Sequence, residues 1–182
     1  MRSSTRRRLA VVAAGLAALT ASGCGTGIDA GAAALDGDRR VSVSDVQTAI
    51  VQVNRIVPPD QQFDQRTVLS YLVTEPYLVA AATSRGVGVS EDDARNIFVR
   101  SSANNPAAKG LTPAPVSIRL VRSVLSLNRL GGGTFAEDQT PLPAEEGQAA
   151  VALVAEQLQA RDVRVNPRYG TFEPVFDPAA QK

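Results

Sequence analysis

The sequence predicts a mainly α-helical domain: about five helices with a small antiparallel sheet formed by an N-terminal hairpin and a C-terminal strand. Three observations predict it. Five stretches carry apolar residues at three- to four-residue spacing, separated by Pro- or Gly-containing breaks. Asp36-Gly37 lies between two short extended segments, and Gly accepts the positive φ that a tight hairpin turn requires. The Val41-Ser42-Val43 alternation has a counterpart in Val163-Arg164-Val165 near the other end of the chain.

The hairpin is expected from Ala32 to Leu35 and from Arg40 to Val43, with Asp36-Gly37 as its turn. Ser44 is expected to cap the first helix, its side-chain oxygen accepting an N–H of the first turn. Val46, Ile50, Val53 and Val57 continue that helix to Pro58-Pro59, since a proline disfavours helical backbone in the residue before it. A second helix runs from about Asp64 to Arg85, with Val68, Leu72, Pro76 and Val79 on one face and Gly86 as its stop. Pro76 removes one of its backbone hydrogen bonds and predicts a kink.

Ser90-Glu91-Asp92-Asp93 reads as a capping box that opens a third helix through Ala94, Ile97 and Phe98, fraying by Asn104-Asn105-Pro106. Residues 104–113 form a loop. A fourth helix spans Pro115 to Leu130, with Ile118, Val121 and Leu125 on one face. Arg119, Arg122 and Arg129 fall mostly elsewhere and read as a solvated face. Gly131-Gly132-Gly133 stops this helix, and 131–143 is a long loop. A fifth helix covers roughly Pro143 to Arg161, with Ala150, Val151, Val154 and Leu158 as its apolar stripe. It leads into the strand at 163–165, and the simplest way to satisfy the backbone groups of the two Val-x-Val segments is to pair them with each other.

The absence of histidine excludes more than any other count: no Ser-His or Cys-His relay is possible, nor a zinc site of the usual His-containing kinds. The acidic pairs Asp92-Asp93 and Glu145-Glu146 sit where helices begin, where the dipole and free N–H groups favour carboxylates, so they read as structural rather than hydrolytic. The expectation is a protein that is not an enzyme, with no cofactor and no metal. The net charge of +1 includes four arginines within residues 1–23, which leaves −3 on the rest of the chain. That balance gives no basic stripe for nucleic acid. With one cysteine there is no disulfide framework, so the fold rests on packing of Ala, Val, Leu and Ile.

Residues 1–23 have the layout of an export signal: a basic run (Arg2, Arg6, Arg7, Arg8), an apolar stretch from Leu9 to Leu19, and small residues Ala21, Ser22 and Gly23. The apolar stretch is well short of the roughly 20 residues that a membrane span needs. Cys24, the single cysteine, follows directly, and its thiol is suited to diacylglyceryl attachment. The pattern resembles a bacterial lipoprotein signal with its lipobox, although Ala21 stands where Leu is usual. The alternative is an ordinary secreted protein cleaved near Ala21 or Gly23; Arg6-Arg7 also permits twin-arginine export. The resemblance implies an exported protein held by a lipid on Cys24 at the extracytoplasmic face of the cell membrane, with 24–31 as lipidated cysteine and tether. Residues 174–182 are expected to form a flexible tail.

The strand at 163–165 continues as Asn166-Pro167-Arg168-Tyr169-Gly170-Thr171-Phe172. Asn166-Pro167 ends a strand because proline has no N–H for a ladder, Gly170 permits a left-handed turn, and Tyr169 and Phe172 can pack as covers. This segment reads as a structural clasp rather than a catalytic role for Arg168 or Tyr169. Together with the opening strand-Asp-Gly-strand, its continuation through Val43-Ser44-Asp45-Val46, and the Gly86-Val87-Gly88-Val89-Ser90-Glu91 turn, it resembles the N-terminal chaperone domain of bacterial periplasmic and surface foldases, the SurA, PrsA and trigger-factor-like group. The resemblance covers residues 32–173, and Asn-Pro-Arg-Tyr-Gly is its specific piece. It implies a chaperone or holdase that binds unfolded or extended polypeptide in a groove between helices. Family members often carry a parvulin-type prolyl isomerase as well, for which this chain has neither the length nor the histidines. The alternative is a non-enzymatic scaffold lipoprotein with one specific envelope partner.

Overall fold

The computed structural model describes residues 28 and 30–176. The expected export signal, Cys24, most of the expected tether and the residues after Phe176 lie outside the described residues. The described chain is mainly helical, with five α-helices and one three-stranded antiparallel sheet, as the sequence predicts. In chain order these are β1 (Ala32–Asp36), β2 (Arg39–Ser42), α1 (Val43–Val53), α2 (Gln65–Ser84), α3 (Glu91–Asn104), α4 (Pro115–Leu130), α5 (Ala144–Gln159) and β3 (Val163–Val165).

The sheet order is β2-β1-β3. β1 is the central strand and all five of its residues are buried. It pairs with β2 on one edge and with β3 on the other, in the register Ala34 to Val165, Leu35 to Arg164 and Asp36 to Val163. The two ends of the domain are thus joined, but not by the two Val-x-Val segments pairing with each other. β3 pairs with β1 because β2 already occupies the other edge, and Val43 belongs to α1 instead of to a strand. The hairpin turn also shifts by one residue. Gly37 and Asp38 form it, Gly37 takes φ +58°, and Asp36 is the last residue of β1.

The α1 cap is Ser42 rather than Ser44. Ser42 Oγ accepts from the Asp45 backbone N–H at 3.0 Å, and the Asp45 carboxylate accepts from the Ser42 N–H at 3.0 Å, a reciprocal capping box that the Ser44 position cannot form with Asp45. α1 ends at Val53, well before Pro58. The Asn54 side chain braces Phe63 in both directions, donating to its carbonyl and accepting from its N–H at 2.9 Å each, and so turns the chain early. The capping box at Ser90 forms with Asp93 at the third helical position. Gly86, at φ +71°, closes α2: its own N–H donates to Thr83 O and the Val87 N–H to Ala82 O, both at 3.0 Å.

α2 is the central helix. It packs against α1, α4, α5 and β1, and from Val68 to Glu75 it is buried nearly all round except at Tyr71. Pro76 lies inside it and gives no N–H to the Leu72 carbonyl; Arg119 Nη2 from α4 reaches that carbonyl at 3.4 Å. α4 meets α2 through small polar residues, and Ser123 Oγ donates to the Tyr71 carbonyl at 2.9 Å.

Arg119, Arg122 and Arg129 are not a solvated face. Arg119 Nε and Arg122 Nη2 each lie 3.6 Å from the buried Glu75 carboxylate. Arg129 is buried and donates to the Gly133 and Thr140 carbonyls at 2.9 and 3.1 Å, pinning the 131–143 loop to the end of α4. The loop at 104–113 is also anchored. Asn105 Nδ2 donates to the Arg55 carbonyl, and Gln52 of α1 brackets Thr112 and Ala114.

Two apolar clusters result. The larger lies under the sheet among α1, α2, α3 and α4, with Phe98, Leu72, Ile118 and Leu120 at its centre. The smaller joins the second half of α2 to α4 and α5 through Leu78, Ala82, Leu130, Ala150, Val154 and Leu158. Phe172 touches both, and Val175 and Phe176, expected within a flexible tail, instead pack on the smaller one because it offers them apolar contact.

Candidate functional site

The residues 166–170 close the sheet end. The Asn166 N–H donates to the Ala33 carbonyl at 2.9 Å and its Nδ2 to the Ala32 carbonyl at 3.1 Å, so one side chain fastens the exit of β3 to the start of β1. Its Oδ1 accepts from the Arg168 N–H at 3.2 Å, starting a short 3-10 turn over Pro167–Tyr169. Tyr169 is buried in the larger cluster, Arg168 is exposed with its guanidinium 5.3 Å from the Tyr169 ring centre, and Gly170 takes φ +80°. This arrangement positions backbone. It presents no nucleophile.

Asp36 joins the same closure and was not legible as such. Its buried carboxylate accepts from Tyr77 OH at 2.6 Å, from Arg39 Nη1 at 3.1 Å and from Arg161 Nε. Both guanidinium carbons lie 5.7 Å from the Tyr77 ring centre. Burial opposes ionisation of Asp36, but hydrogen bonds from Tyr77 and Arg161 and the charges of Arg161 and Arg39 outweigh it and hold the carboxyl below its usual range. Burial, then the bond to Asp36, raises the Tyr77 hydroxyl. A cleft of about 350 Å³ between the sheet, α2 and α4 is lined by Asp36, Arg39, Glu75 and Arg119. Its acids are already engaged by those arginines, so it reads as an ion-pair seam.

The other candidate is apolar. A cleft of about 560 Å³ opens between the end of α4 and the first half of α5. Leu127, Leu130 and Val151 give it aliphatic walls, and Ala144, Gly147 and Ala152 keep it wide by having little or no side chain. Gly147 is there for close approach: a Cβ on it would lie 1.7 Å from the Leu130 carbonyl oxygen. Val175 and Phe176 also line the cleft. Val151, expected in the buried stripe of α5, is instead half-buried at this opening.

Asp93, Glu145 and Glu146 stand in first helical turns, as their sequence positions predict. Among the described residues no group of His, Cys, Asp and Glu could hold a metal ion, and no helix is long and apolar enough to cross a membrane. Comparison with known protein families, characterised proteins and solved structures finds no match. Fold and site therefore define a class only: a helical domain closed on itself by a terminal sheet, with one aliphatic cleft between α4 and α5.

Proposed function

We propose that this protein is a lipid-tethered polypeptide-binding module, a chaperone or holdase working at the outer face of the cytoplasmic membrane. The observation that carries this reading is the α4–α5 cleft. It offers aliphatic walls with small residues between them and a mostly apolar lining, which suits extended chain of varied sequence better than a small polar substrate. Among the described residues the large exposed apolar side chains are Val51, Val99 and Leu153, on three different helices. The resemblance of residues 32–173 to the foldase chaperone domain supports the same reading, and the signal with Cys24 supports the tether.

The test is aggregation of a chemically unfolded client, followed by light scattering. The protein at near-stoichiometric ratio slows it, and Val151→Glu, which puts a charge into the cleft mouth, removes most of that effect while the helix content by circular dichroism is retained. No slowing over several clients refutes the reading. The same cleft also suits a second reading, a scaffold that docks one envelope partner there. A single stoichiometric partner, sensitive to Val151→Glu, with no effect on unfolded clients selects it.

A further inference from the structure

We infer that the segment Phe172–Phe176 is an internal occupant of the polypeptide site, a strap that covers part of one longer apolar trough and is displaced by clients. This rests on the polypeptide-binding reading above.

The strap has no regular secondary structure and no place in the sheet. Among the described residues its one hydrogen bond to the helical body comes from a side chain: the buried Ser70 of α2 donates from Oγ to the Glu173 carbonyl at 2.6 Å. Pro174 has no N–H to offer. The remaining attachment is apolar. Phe172 bridges the two clusters, Val175 packs on the smaller one, and Phe176 is 4% exposed among the residues of α2, α4 and α5 that build it. A segment outside any helix or strand, held by one side-chain bond to its backbone and by apolar anchors, is bound as a peptide ligand is bound.

The position of the strap gives it a function. Val175 and Phe176 are both core contacts and part of the lining of the open cleft. The open cleft and the floor under Phe176 are therefore adjacent stretches of a single apolar surface, running over Leu130 and α5, of which the strap fills one part. A client with large apolar side chains spaced like those of the strap competes for the filled part and gains a longer site. While the strap is seated, the apparent affinity is reduced by the fraction of molecules in which it is displaced.

The test uses a fluorescein-labelled peptide with the sequence Thr-Phe-Glu-Pro-Val-Phe, read by anisotropy against the full chain and against a chain ended after Pro174. The shortened chain is expected to bind about tenfold more tightly, as removal of a competing internal ligand requires. A control peptide with Ser in place of both Phe and Val binds neither. Equal or weaker binding by the shortened chain, with helix content retained, overturns the strap. Should shortening unfold the protein, the full chain with Ser70→Ala decides: it loses only the bond to Glu173, and is expected to bind the peptide several-fold more tightly. Unchanged binding there overturns the inference. The two readings separate cleanly. If the intact protein slows client aggregation but neither variant binds more tightly, the strap is structural and polypeptide binding stands. If no form binds peptide or client, polypeptide binding itself is wrong.

Discussion

Replacing Asp36 by Asn tests the closure of the domain at one atom pair. Asn keeps the shape and an acceptor oxygen but loses the charge that serves Tyr77, Arg39 and Arg161 together. Hydrogen bonds to a charged group contribute about 1.5–3 kcal/mol. The two arginine side chains are 38% and 43% exposed, so water screens most of their share. The Tyr77 bond to the buried carboxylate carries much of the rest. Asp36→Asn is expected to cost about 2 kcal/mol at pH 7, measured by urea unfolding, which corresponds to roughly 6 °C in Tm for a domain of this size. The pH dependence has a definite sign. The carboxyl is more acidic in the folded protein than in the unfolded chain, so its stabilisation is fully present above the unfolded value of about 3.9 and is lost as pH falls through the folded value. The gap between wild type and variant therefore closes on acidification below about pH 4. Asp64, also held acidic, by the Thr67 N–H first, is common to both proteins and cancels from the difference. A variant as stable as wild type at pH 7, or a gap that stays constant down to pH 2, refutes the reasoning.

Further outcomes follow from other sites. Gly147→Ala forces α5 away from the Leu130 carbonyl and is expected to destabilise by at least about 2 kcal/mol, checked by urea unfolding; a neutral effect contradicts the close approach. Ser90→Ala removes the side-chain half of the α3 capping box and should cost about 1 kcal/mol in the same assay, with Ser44→Ala, which caps nothing at α1, near neutral. Cys24→Ala is expected to move the protein from the membrane fraction to the soluble fraction, or to stop its processing, on cell fractionation; a variant that is processed and still membrane-bound argues for a protein anchor.

The helices were legible because their punctuation is local. The α4 limits at Pro115 and Leu130, the α3 box at Ser90 and the α2 stop at Gly86 each depend on a proline, a capping side chain or a glycine within a few residues. What the sequence hid depends on distant partners. The α2 stripe through Val79 misleads because α2 is covered on several sides, so Leu78 and even Glu75 are buried while Val79 is half-buried. Arg129 reads as a surface residue until the Gly133 and Thr140 carbonyls fold back over it. The strand partner of Val163–Val165 was misread because pattern matching says nothing about which edge of a hairpin is free. For the cleft, Val151 shows the same limit: helical periodicity places it on the apolar face, but only the shape of the α4–α5 contact leaves that part of the face open.

Photocrosslinking at the cleft tests the central claim most directly. A photoreactive residue in place of the exposed Gln148, on the cleft wall, is expected to capture an unfolded client, whereas the same group at exposed Val51 on α1, away from the cleft, captures none. Equal capture at both positions, or capture at Val51 alone, contradicts the account.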